Sequence, residues 1–424
     1  MKFFFPDSQD QIDPAFDFVT EERSVHRLRQ RDDLYAHEAL GSRPYDGMLI
    51  SKPIVDGSAA GAGRYTIAQR HRVYRVGIHR FLRLDNSNGP ALEAMGDCGA
   101  FSYVREDIPP YTVDEVIDFY EDCGFDYGFS VDHVILAFVD DADDSLFADE
   151  IVDPAWRERQ KITLELAAEF LRRHRERGAQ FTPIGVAQGW SPRSYAHAVA
   201  ELQDIGYSRI ALGGMVPLKN FQILASLAAI DDVRDSATQL HLLGVTRTEH
   251  LAEFTRLGVT SFDSTSPFRR AFKDDRANYW TPERTHVAIR VPQVDGNPKM
   301  KRLVKAGQID QRLALDLERR SLDALYAYDG GEASLSDALE AVLTYAQLHE
   351  PGRDRRDVYA QFLEDRPWKT CECGLCATAG INVAIFRGTE RNKRRGFHNI
   401  HVFNERLQSE IENLNGVSGD ARRK

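Results

Sequence analysis

The chain has 424 residues, of which 42% are hydrophobic and 28% charged, and a formal net charge of −11. That length accommodates one large domain with an appendage, and the composition is that of a globular protein rather than a disordered one. No apolar run reaches the length of a membrane span. The apolar stretch in residues 1–7 is too short for a signal peptide. Five cysteines, an odd number, do not make a secreted disulfide framework, so the cytoplasm is the expected location.

In chain order, residues 1–45 are polar and give no clear reading. Strands are predicted near residues 47–54 and 92–97, and again over 127–137. Asp153-Pro154 opens a long amphipathic helix that ends near Gly178. The alternation then becomes regular. A strand over 181–188 is followed by a helix from Ser191-Pro192, an N-cap and an N1 proline, to about Gln203. A strand over 208–213 leads to a helix over 218–229. A strand over 239–245 leads to a helix over 248–257, closed by Gly258. A last strand covers 259–263. Repeated strand–helix units with short loops imply a parallel sheet covered by helices. A closed (β/α)8 barrel and an open doubly wound sheet both satisfy this pattern. There is no glycine fingerprint for a dinucleotide after the first strand, and the barrel is favoured. The expected organisation is an N-terminal segment 1–45, an α/β barrel over 46–290 and a helical region over 291–424.

The net charge hides local structure. Arg64, Arg70, Arg72, Arg75, Arg80 and Arg83 occupy a stretch without acidic residues. Lys299, Lys301, Arg302 and Lys305 form a second basic cluster. Arg387, Arg391, Lys393, Arg394 and Arg395 form a third. Acid collects at Asp140, Asp141, Asp143 and Asp144. Segregated basic patches on an acidic protein read either as a polyanion footprint or as solvated faces.

Cys371, Cys373 and Cys376 stand within six residues, with Gly374 allowing a tight turn. Three thiols and one further ligand suit tetrahedral coordination of zinc, and His398 and His401 are the candidates for the fourth position. Such a shell is full, which implies a structural metal within a subdomain around 366–410 rather than a Lewis acid.

In α/β barrels the chemistry sits at the C-terminal ends of strands. Asp97, Asp132, Gln188, the pair Gly213-Gly214 and Asp263 all fall at such ends. Three carboxylates in one pocket suit glycosyl chemistry, with one attacking an anomeric carbon, one moving protons and one accepting hydrogen bonds from a heterocycle.

Phe262-Asp263-Ser264-Thr265-Ser266-Pro267-Phe268-Arg269 resembles the nucleophile motif of the tRNA-guanine transglycosylase superfamily, usually F-D-x-x-x-P-T-R. Gly96-Asp97-Cys98-Gly99-Ala100-Phe101 is similar to its S-D-S-G-G-F, Gly185-Val186-Ala187-Gln188-Gly189 to its G-I-V-Q-G, and Ala211-Leu212-Gly213-Gly214 to its A-I-G-G. The cysteines match its C-x-C-x-x-C, and His398-Asn399-Ile400 resembles its H-N-L, which favours His398 as the ligand. The resemblance implies a zinc-containing (β/α)8 barrel that exchanges guanine for a 7-deazaguanine. It implies Asp263 as nucleophile and Asp97 as general acid/base. Asp132, Gln188, Gly213, Gly214 and Phe101 would bind the base. Phe268 stands in place of the usual Thr, and Cys98, Ala100 and Ser102 depart from S-G-G-F-Q. With residues 124–128, these departures resemble the DpdA branch, bacterial enzymes that place 7-cyano-7-deazaguanine (preQ0) in DNA alongside partner proteins of a modification and restriction system. The resemblance also leaves open a homodimer, action on tRNA and a catalytically silent nucleic-acid-binding subunit.

Overall fold

The computed structural model describes residues 1–57, 61, 63–86, 91–139 and 152–421. The acidic run Asp140, Asp141, Asp143 and Asp144 lies outside the described residues. Eight parallel strands close into a barrel in sequence order: β1 (Lys2–Pro6), β2 (Gly47–Ser51), β3 (Glu93–Asp97), β4 (Tyr127–Phe129), β5 (Thr182–Ala187), β6 (Arg209–Leu212), β7 (Gln239–Leu242) and β8 (Val259–Asp263). The closing pair is β8 with β1, where Phe4 pairs with Asp263. These strands are buried on both faces, which accounts for their nearly continuous apolar runs. Phe4, Leu49, Met95, Phe129, Ile184, Val186 and Ala211 pack inside the barrel.

Three boundaries differ from the sequence reading, the first being the barrel's end, expected at 290, whereas β8 closes it at Asp263 and the second unit takes up the chain at Ser266. The barrel begins at Lys2–Pro6, inside the segment that gave no reading. Phe3-Phe4-Phe5 has neither a two-residue nor a helical period, so pattern alone had nothing to detect. The strand expected over 127–137 ends at Phe129. Beyond it the chain leaves the sheet but stays buried, because Ser130 N–H bonds Ile184 O and Ile135 N–H bonds the side chain of Gln188. The helices Pro154–Arg177, Pro192–Ile205, Asn220–Asp231 and Leu251–Arg256 fall where expected.

The chain forms two compact units. Met1–Gln9, Tyr45–Thr265 and Leu407–Lys424 make the first; Asp10–Pro44 and Ser266–Arg406 make the second. The second is mostly helical, with helices at Pro298–Lys305, Gln311–Gly330, Leu335–His349 and Arg356–Asp365. Among the described residues, no helix is long and apolar enough to cross a membrane.

One ring ties the barrel wall beside the candidate site to its helical layer. Tyr120, on the helix Val113–Cys123, is fully buried and donates its hydroxyl to Phe129 O at 3.1 Å. A Cβ at Gly96 would lie 2.3 Å from this ring, and one at Gly128 would lie 2.4 Å from it. Gly96→Ala therefore forces the Tyr120 ring off β3. Urea unfolding should show a loss of about 1–3 kcal/mol, the usual cost of overpacking, and Tyr120→Leu in the same background should recover part of it.

Candidate functional site

Because all eight strands run parallel, their last residues emerge at one end of the barrel. There a cavity of about 450 Å³ is lined by residues from the ends of β1, β2, β3 and β8 and from the segments that follow the strands. Asp97, Phe101, Asp132, Gln188, Gly213, Gly214 and Asp263 all line it. Every base-exchange residue expected from the sequence thus reaches one space, although the chain separates the first and last by most of the barrel.

Asp97 closes β3. One oxygen accepts from Ser51 Oγ at 2.5 Å and the other from Gly99 N–H at 2.9 Å. Burial holds its carboxyl above the ordinary range, and the negative charge of Asp263 adds to this against the two hydrogen bonds. Asp132 is buried between two donors. Cys98 Sγ donates to one oxygen at 3.0 Å and Gln188 Nε2 to the other at 2.6 Å. Burial pushes this carboxyl up to about 7; Cys98 and Gln188 oppose the shift, and the neighbouring Asp97 adds to it. Cys98 is itself fixed, 3.1 Å from Tyr103 Oη.

Asp263 closes β8 and is buried. Its Oδ1 accepts from Gly244 N–H at 3.0 Å and lies 3.3 Å from His241 Nε2. The backbone at Gly213 presses against Gln188, where a Cβ would fall 2.0 Å from the amide nitrogen. Any other residue at that position would displace Gln188 from Asp132. Phe101 stands at the opening and is 54% exposed, unusual for a phenylalanine and available for a flat partner.

Ser51, Tyr103, Gly244 and His241 were not singled out from the sequence. His241 carried a signal, an imidazole within the apolar run Leu240-His241-Leu242. Ser51 and Gly244 carried none, since a serine or a glycine at a strand end is common. Of the first basic stretch, Arg64 lines the cavity, and Arg75 and Arg80 are exposed.

In the second unit, the ligand atoms of Cys371, Cys373, Cys376 and His398 all lie within 4.8 Å of one another. The three sulfurs stand 3.5, 3.6 and 3.4 Å from His398 Nδ1. Bonds of about 2.3 Å to sulfur and 2.0–2.1 Å to nitrogen at tetrahedral angles give an edge of about 3.6 Å. The four donors therefore fit a tetrahedral metal. His398 Nε2 faces Trp280 O at 2.8 Å, so that nitrogen carries the proton and Nδ1 offers its lone pair to the cluster. The ring also packs on Tyr279, centroid to centroid at 4.3 Å. His401 is not a ligand; it lies 3.3 Å from Glu405 and 3.5 Å from Ser42 Oγ. Phe268, which departs from the usual Thr, is buried against Phe272 and Phe397.

The third basic cluster is not a surface. Arg387 pairs with Glu21 and Glu318, Arg391 with Glu21, and Arg394 with Glu390 and the carbonyl of Asp13. Arg395 is fully buried and spends its donors on the carbonyls of Ala271, Val383 and Ile385 and on Asn392. Lys393 reaches Gln11 O at 3.0 Å. A guanidinium can be buried only when its donors are met, and these are met internally. With their donors turned inward, these arginines do not form the solvent-facing polyanion footprint that was one reading of the cluster.

No protein-family model matches the chain. A DNA-guanine transglycosylase of Salmonella montevideo is 51% identical to it over 412 residues, covering 96% of this chain and 97% of the relative. With a closed parallel barrel, carboxylates gathered at its C-terminal end and a Cys3His cluster, the chain belongs to the DNA-guanine transglycosylases, the DpdA branch of the tRNA-guanine transglycosylase superfamily.

Proposed function

We propose that this protein exchanges guanine in DNA for 7-cyano-7-deazaguanine through a covalent intermediate on Asp263. The observation that carries the reading is the convergence of Asp97, Asp132, Gln188 and Asp263 on one cavity, in a chain so similar to a DNA-guanine transglycosylase. A cavity of about 450 Å³ falls within the size range of small-molecule sites.

In the first half-reaction a carboxylate oxygen of Asp263 attacks C1′ of the target deoxyguanosine. The C1′–N9 bond breaks, its electron pair leaves with guanine, and the carboxylic acid of Asp97 supplies the proton. In the second, Asp97 takes the proton from N9 of the incoming base. That nitrogen attacks C1′, and Asp263 leaves as a carboxylate. Two inversions keep the β configuration. The division of labour needs one carboxyl able to hold a proton and one ionised, and the burial of Asp97 beside a charged Asp263 supports it. Asp132 and Gln188 would bond the heterocycle, the Gly213-Gly214 backbone would contact it, and Phe101 would meet its face or its neighbour. The target nucleotide must leave its stack, at about a few kcal/mol, and a phosphate contact from Arg64, which lines the cavity, would offset part of that cost. The choice of preQ0, the partner proteins of a modification system and a homodimer rest on the resemblance to the DpdA branch. The Cys3His cluster would hold zinc as a scaffold; its filled shell leaves no open position for substrate.

Four outcomes test this reading. Given labelled guanine with duplex DNA or tRNA, the protein should label the DNA; label in tRNA alone would overturn the choice of substrate. Asp263→Ala should lower the exchange rate by about 10⁴-fold or more and abolish a denaturant-stable protein–DNA adduct. As pH falls from 8 to 6, Asp132 takes up a proton through its value of about 7 and loses its acceptor. KM for guanine should therefore rise by about tenfold, one lost hydrogen bond, and Asp132→Asn should flatten that dependence. Cys373→Ser should lose bound zinc by elemental analysis and unfold at lower temperature, whereas loss of turnover with a full melting temperature would contradict a structural role.

A further inference from the structure

We infer that His241, locked by Ser261, is a positioning residue that holds the carboxylate of Asp263 so that one chosen oxygen attacks. The inference rests on the proposed role of Asp263 as nucleophile and names a device the motifs do not contain. His241 projects from β7 into the barrel interior between the rings of Phe4 and Phe129. It is 2% exposed, and its ring lies 6.1 Å from that of Phe4 and 5.4 Å from that of Phe129. An imidazole in such surroundings must have both nitrogens partnered. The partners come from alternate residues of the neighbouring strand. His241 pairs in register with Ser261, whose Oγ is 2.8 Å from Nδ1, and Nε2 is 3.3 Å from Asp263 Oδ1.

The protons follow from chemistry. An ionised carboxylate only accepts, so Nε2 must carry hydrogen. Neutral imidazole then has a lone pair on Nδ1, and Ser261 donates its hydroxyl to it. Ser261 thereby fixes the tautomer that His241 needs. Gly244 N–H donates to the same oxygen at 3.0 Å. Two donors converge on Oδ1, and among the described residues no hydrogen bond is recorded to Oδ2. The free oxygen is the one set to form the bond to C1′. When that bond forms, Oδ1 becomes the ester carbonyl and keeps both donors. When the bond breaks, its electron pair returns to the carboxylate, and the same donors meet the returning charge.

The test uses the full chain with duplex DNA and labelled guanine, and follows kcat, KM and the urea midpoint together. His241→Phe removes the donor and fills the space among Phe4 and Phe129. It should lower kcat by about 10²-fold, the usual loss of one preorganised donor, with KM for guanine within about twofold. His241→Gln returns an N–H near the Nε2 position and should recover kcat to within about fivefold of the wild type. Ser261→Ala should lower kcat by about tenfold, as loss of an outer orienting partner does. A folded His241→Phe protein with wild-type kcat overturns the inference, as does a His241→Gln protein as slow as His241→Phe, which would mark a packing role. If His241→Phe does not fold, Ser261→Ala decides, and an unaltered kcat there refutes the tautomer lock. Asp263→Ala separates the two layers: if it stays active the nucleophile reading falls, and if it is dead while the His241 variants turn over normally only the positioning role falls.

Discussion

Closure of a parallel barrel is the constraint on which the site depends. Each strand of such a barrel delivers its last residue to the same rim, so residues far apart in the chain meet without any loop having to carry them. Asp97 and Asp263 owe their places to this geometry, as terminal residues of β3 and β8. Asp132 and Gln188 follow β4 and β5 by a few residues and are held by each other. The rim also brings unlike neighbours to otherwise similar carboxyls. Asp263 receives a backbone N–H and an imidazole, Asp97 a serine hydroxyl and a backbone N–H, and Asp132 a thiol and an amide. Position in the fold, more than residue type, thus distinguishes three chemically identical groups.

Charge in this chain divides by depth. Arg64, exposed beside the cavity, carries field into solvent, where a polyanion meets it. Arg387, Arg391, Arg394 and Arg395 do the opposite. They are consumed by Glu21, Glu318 and Glu390 and by backbone carbonyls, and they serve as interior struts. A buried guanidinium can satisfy several carbonyls at once because its donors form a rigid fork, which an ammonium cannot imitate.

Much of the barrel was legible because periodicity and helix stops repeat from residue 181 onward, where Gly206 and Gly258 end helices as their sequence positions suggest. The motif carboxyls were legible for a different reason, since their types and spacings match a family. The cluster Cys371, Cys373 and Cys376 was legible from thiol spacing, but the choice of His398 over His401 needed the family motif, and the structure supplies its cause in the carbonyl of Trp280. What could not be read is instructive. Lys2–Pro6 has no alternation, and the pairing that makes it a strand is supplied by β2 on one side and, on the other, by β8 at the far end of the barrel sequence. Arg387 to Arg395 look like a solvated basic patch because sequence records charge and not depth. His241 gave a faint signal that acquired meaning only when Ser261 and Asp263 were seen beside it.

The seam between β1 and β8 has a consequence in time. Phe4 pairs with Asp263, so the strand bearing the proposed nucleophile completes its hydrogen bonds only against a segment at the far end of the barrel sequence. Contacts of such long separation form late, after the entropy of closing the intervening chain has been met. Until then Phe3, Phe4 and Phe5 have no wall to enter, and the edges of β2 and β8 lack partners. The carboxylate of Asp263 is therefore among the last parts of the barrel to find its geometry during folding. A chain halted before closure would expose sticky, unpaired strands rather than a half-active enzyme.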